Sequence, residues 1–156
     1  MYRYEAKSVG GFVQQLAVGY LARGYRFYVT GEVPLHKRER VDEKLIKRYG
    51  ASASAMERCR QKKSGRAVVH YIRLEGFFVL LATYGNGRFM EDEAERMRDF
   101  SRMPLKCFGY SIAHRGGHAS VRIELEEFKR EKAYFSELAA HRSVENVVAT
   151  LAKIPY

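Results

Sequence analysis

Cys107–Leu125 reads CFGYSIAHRGGHASVRIEL, two runs rich in β-branched and aromatic residues joined by Gly116-Gly117. Glycine accepts positive φ without steric cost, so the pair fits the two-residue turn of a hairpin with strands Cys107–Arg115 and His118–Leu125. Arg115 then faces His118 across the ladder. Strand alternation puts Ser111, Arg115, His118, Ser120 and Arg122 on one face, and Tyr110, Ile112, Ala119, Val121, Ile123 and Leu125 on the other. One side is core, and the other is polar with two arginines and an imidazole. The fold therefore contains an antiparallel sheet.

Working outward, Ala67–Leu74 and Phe77–Tyr84 predict a second hairpin turned at Glu75-Gly76. Further upstream, Ser8 is placed to cap a helix carrying Phe12, Val13, Leu16, Tyr20 and Leu21 on one stripe, with Gly24 after its end. Tyr25, Phe27 and Val29 alternate with Arg26, Tyr28 and Thr30 in a half-buried strand that Pro34 stops. Glu91-Asp92-Glu93 suits the start of a helix running to Phe100, ahead of Pro104. Two more helices are expected over Phe128–His141 and Val144–Lys153, the latter capped by Ser143. At 156 residues this order predicts one α+β domain, 1–156. Its mainly antiparallel sheet has about five strands, with helices on one face and a basic helical insertion over 36–66.

That insertion carries most of the charge. Between Lys37 and Arg66 stand eleven Lys and Arg against Glu39, Asp42, Glu43 and Glu57, whereas the rest of the chain has seventeen basic and fourteen acidic residues. A regional surplus marks a binding face for a polyanion. Val41, Leu45 and Ile46 predict a first helix ending near Gly50, and Ser52 or Ser54 caps a second that runs to about Lys63. Helix, Gly-containing turn, basic helix and hairpin is the order of a helix-turn-helix with a wing. In that reading Arg58, Lys62 and Arg60 approach a DNA groove, and Lys63 and Arg66 meet phosphates. Arg115, His118 and Arg122 add a second polar surface. Nucleic acid is thus the expected partner, DNA ahead of RNA; the competing class is an enzyme, a metal-dependent single-strand nuclease, and an interaction module for an acidic protein is the third possibility.

An enzymatic alternative comes from His118-Ala119-Ser120. It resembles the central strand of rolling-circle nickases and single-strand transposases, where His, an apolar residue and His hold a divalent metal. Ser120 stands in place of the second imidazole, and a hydroxyl is a poor substitute for it. The resemblance implies His118 as a metal ligand, Glu124 or Glu126 as a further one, and Tyr134 as the nucleophile of a tyrosine-dependent endonuclease. Without it, neither cofactor nor metal is expected. His36, His70, His114 and His141 lack ligand spacing, and Gly85-Asn86-Gly87 lacks the Lys-Ser or Lys-Thr of a nucleotide loop. Cys59 and Cys107 stand far apart, the N-terminal residues show no export pattern, and no apolar run spans a membrane. A cytoplasmic protein that does not engage membranes is the expectation.

Overall fold

The computed structural model describes residues 2–141 and 144–154. Ser8 caps the first helix, α1 (Val9–Gln14), its side chain accepting from the Gly11 N–H at 3.1 Å. The helix widens into a π turn over Gln15–Tyr20 and tightens into a 3-10 turn over Leu21–Arg23, where Gly24 at φ 101° stops it. Phe12, Leu16 and Leu21 are fully buried, each contributing roughly 2 kcal/mol by leaving water.

Four antiparallel strands follow: β1 (Tyr25–Glu32), β2 (Val69–Leu74), β3 (Phe77–Thr83) and the two-residue β4 (Arg98–Asp99), in the order β2-β3-β1-β4. A second sheet, in the order β5-β6-β7, comprises β5 (Leu105–Cys107), β6 (Tyr110–Arg115) and β7 (His118–Ile123). The helices after α1 are α2 (Arg38–Tyr49), α3 (Ala55–Lys63), α4 (Arg88–Asp92), α5 (Leu125–His141) and α6 (Val144–Leu151). The α+β class expected from the sequence is the one observed. Its strands are divided between two sheets rather than gathered in one of about five.

The four-stranded sheet has a core on each face, so helices flank it on both sides rather than one. Phe12, Leu16 and Leu21 meet Ile72 and Leu81 on one side, where Phe100, Leu105 and Ile112 join them. On the other side Val41, Leu45, Ile46 and Tyr49 of α2 pack against Val29, Tyr71, Phe78 and Leu80. Every residue of β2 is consequently buried.

Three local expectations need correction. The alternation expected in β1 breaks at Arg26, where a bulge sets Tyr25 opposite Thr83 and Phe27 opposite Ala82. Tyr25 and Phe27 therefore join opposite cores. The helix expected over 91–100 is instead the short α4, because Arg98–Asp99 pairs with β1 and buries Phe100. The strand expected over Cys107–Arg115 turns at Phe108-Gly109, which have φ 51° and 83°, so Leu105–Cys107 folds back on Tyr110–Ile112. Leu125 belongs to α5, not to the hairpin's core face, and is 64% exposed. The expected Ser143 cap lies outside the described residues. Among those residues no helix is long and apolar enough to cross a membrane.

Candidate nucleic-acid interface

The basic segment is held in place through α2. Asp42, fully buried on that helix, accepts from Arg73 Nε at 2.9 Å, from Arg73 Nη2 at 2.9 Å and from the Tyr71 hydroxyl. Burial works against the charge of Arg73, but the Asp42 carboxylate more than offsets it and holds the guanidinium above its ordinary pKa. Burial and the bond to Asp42 likewise push the Tyr71 phenol upward. This network ties α2 to β2, and Gly50 at φ 65° then turns the chain into α3.

A capping box starts α3: Ser54 Oγ accepts from the Glu57 N–H at 3.3 Å, and Glu57 Oε2 accepts from the Ser54 N–H at 2.8 Å. No residue of α3 is buried. Helical spacing puts Arg58 and Lys62 on one face and Arg60 and Lys63 on another. The first pair leans over the protein, Arg58 half-buried and Lys62 still exposed. Arg58 Nη1 donates to Ala53 O at 2.7 Å, and Lys62 Nζ lies 5.6 Å from the centroid of the Tyr25 ring. Arg60 and Lys63 are exposed, as is Arg66, which pairs with Asn86 beyond Gly65.

Beneath Arg58 and Lys62 is an aromatic cluster that sequence reading does not assemble. The His70 ring lies 4.7 Å from Tyr20, 5.2 Å from Tyr25 and 5.8 Å from Tyr2, and His70 Nδ1 is 3.2 Å from the Tyr2 hydroxyl. Burial, reinforced by the positive charges of Arg58 and Lys62, lowers His70 to about 4. Burial also raises Tyr25 to about 12, although Arg58 pulls it the other way.

The second surface is the polar side of the three-stranded sheet. Arg115 pairs with His118, Ala113 with Ser120 and Ser111 with Arg122, the register that the Gly116-Gly117 turn predicts. Arg115, His118 and Arg122 are all exposed. Across from Ser111 stands Lys106 of β5, also exposed, so a lysine and an arginine flank one serine in a single row. Sequence reading missed Lys106 because it took Cys107 as the start of a strand. The alternation Leu105-Lys106-Cys107, buried, exposed, buried, was the available signal. Both basic surfaces border Gln15–Arg23: Tyr20 lies beside His70 and Arg58, and β7 packs on the same segment.

Of the residues of the nuclease alternative, His118 opens β7 and Glu124 follows its last residue. Six steps along the chain, five of them within β7, put His118 and Glu124 about 20 Å apart at strand rise. Tyr134 is half exposed on α5, its ring 5.5 Å from Phe135. Among the described residues no group of three His, Cys, Asp or Glu side chains is placed to hold a metal. Among the described residues α2 packs on the four-stranded sheet and on Phe89 of α4, rather than into the three-helix core of a helix-turn-helix. Compared with family models, curated proteins and solved structures, the chain matches none.

Proposed function

We propose that this protein binds nucleic acid, DNA in preference to RNA, through α3, Arg66 and the polar face of β5–β7. One observation carries the reading. Arg58, Arg60, Lys62, Lys63 and Arg66 have no carboxylate at ion-pair distance among the described residues, whereas Arg48, Arg73, Arg88, Arg96, Lys129 and Arg130 do. Cations that the protein does not neutralise are free to displace counterions from a phosphate backbone. The preference for DNA follows from shape, because an exposed helix enters the wide major groove of B-form DNA but not the deep, narrow one of A-form RNA. Arg115, His118, Arg122 and Lys106 would hold neighbouring phosphates. A reducing cytoplasmic setting belongs to the same reading, Cys59 and Cys107 both being free thiols.

The test is a fluorescence-anisotropy titration of labelled duplex DNA at several salt concentrations. Replacing Arg58, Arg60, Lys62 and Lys63 together by Ala should weaken binding and reduce the slope of log affinity against log salt by up to about 3.6, since each lost phosphate contact is worth about 0.9. An unchanged slope in a folded variant would remove α3 from the interface. Equal affinity for polyglutamate and DNA would favour an acidic protein partner instead.

A further inference from the structure

We infer that the groove at the β4 edge of the four-stranded sheet is a stacking site for an unpaired nucleobase, so that the bound nucleic acid includes a single-stranded stretch. The inference rests on the proposed nucleic-acid binding and narrows it to a ligand.

The groove is lined by Phe27, Tyr84, Met97, Arg98, Arg102 and Met103, together with Asp99, and has a volume of 550 Å³. Its aromatic corner is made by the bulge at Arg26, which turns Phe27 away from the face occupied by Tyr25. The Phe27 and Tyr84 rings meet edge to face, with centroids 5.0 Å apart and planes at 85°. Tyr84 is 67% exposed. A base stacked on one ring would therefore have its edge against the other, an arrangement that uses the π-face common to all bases. Met103, half exposed, adds a polarizable wall.

The charges complement a nucleotide. Arg98 and Arg102 are both exposed at the groove and have no carboxylate at ion-pair distance among the described residues. Asp99 Oδ1 is engaged by the Ser101 N–H at 2.8 Å, closing the turn that carries Arg102. The two arginines outnumber that single carboxylate and supply the phosphate partners.

The groove also continues the basic segment. Asn86, two residues beyond Tyr84, pairs with Arg66: Ala67 N donates to Asn86 O at 2.9 Å and Asn86 N to Gly65 O at 3.0 Å. Gly85 between them has φ 144°, and a Cβ there would stand 2.4 Å from Ala67 N. This close approach fixes Tyr84 relative to Arg66 and the end of α3. A strand whose phosphates follow Lys63 and Arg66 is thereby delivered to an aromatic corner with arginines on its far side.

Two measurements test this. Thymidine 5′-monophosphate should shift the NMR signals of the Tyr84 and Phe27 rings, and deoxyribose 5-phosphate should not. In binding titrations, the protein should hold oligothymidylate about tenfold more tightly than an abasic strand of the same length. Tyr84→Ala should erase that difference without changing affinity for the abasic strand, and Tyr84→Phe should keep it. Equal affinity with and without bases, or a difference that survives Tyr84→Ala, overturns the stacking site while salt-dependent binding of the abasic strand leaves the α3 reading intact. If no single strand binds while duplex DNA does, only the stacking site fails; if neither binds at any salt concentration, both fail. Ring shifts confined to other aromatic residues would also overturn it.

Discussion

The hairpins β2–β3 and β6–β7 share a motif and differ in what covers them. All residues of β2 are buried, whereas His118, Val121 and Arg122 of β7 are exposed. Each hairpin carries arginine and histidine. In the first, Arg73 is locked to Asp42 and His70 sits among tyrosines; in the second, Arg115, Arg122 and His118 face water. The same residue types thus serve opposite ends. Polar groups in the doubly covered hairpin must be satisfied internally, since a buried unpaired charge costs more than the fold can spare. The half-covered hairpin has no such demand and leaves its donors to water.

The largest expected difference comes from deleting an arginine in each. Arg73→Ala leaves the fully buried Asp42 without its countercharge and should cost about 3–5 kcal/mol, read as a lower urea midpoint. Arg122→Ala removes an exposed side chain and should stay within about 0.5 kcal/mol. Similar costs for the two would dissolve the contrast, because it depends on burial alone.

Histidine sharpens the comparison through pH. His70 is lowered from 6.5 to about 4, so the folded protein keeps it neutral where the unfolded chain would protonate it. A depressed folded value means that stability is full above pH 6.5 and is lost as pH falls toward 4. The slope is about 1.4 kcal/mol per pH unit and the total loss about 3 kcal/mol. His70→Phe should flatten that part of the stability curve, measured by thermal melts between pH 4 and 7. A wild-type curve already flat over this range would mean that His70 is solvated, against its burial beneath Tyr2, Tyr20 and Tyr25.

How far the sequence discloses this depends on whether the cause is local. The register of β6–β7 is legible because Gly116-Gly117 sets it within two residues, and the start of α3 because Ser54 and Glu57 lie three apart. The bulge at Arg26 and the strand at Arg98–Asp99 have no local cause. They form together, the Phe100 N–H donating to Arg26 O from seventy-four positions away in the chain. For the candidate site, the charges of α3 are plain in the letters, yet their freedom is not. Arg48 looks equally available and is paired with Asp92, forty-four residues on. Tyr84 and the aromatic bed around His70 are invisible for the same reason, their partners being distant in sequence, whereas Lys106 was legible in the alternation of Leu105, Lys106 and Cys107.

The smallest expected effect concerns α3, which is neither buried like β2–β3 nor braced like β6–β7. With no buried residue, the helix depends on its cap, on Arg58 bonding Ala53 O and on Lys62 over Tyr25. Ser54→Ala removes the acceptor for the Glu57 N–H and should cost about 1 kcal/mol. Such a loss falls on local opening rather than on the whole domain when a helix has few buried contacts. Amide hydrogen exchange in Glu57–Lys63 should therefore quicken about fivefold, as 1 kcal/mol implies, while exchange in β2 and β3 stays unchanged. Equal acceleration in both regions would show that α3 unfolds only with the sheet. The exposed basic helix would then be part of the scaffold it is contrasted with, and the proposal that it adapts to a nucleic-acid groove would lose its physical basis.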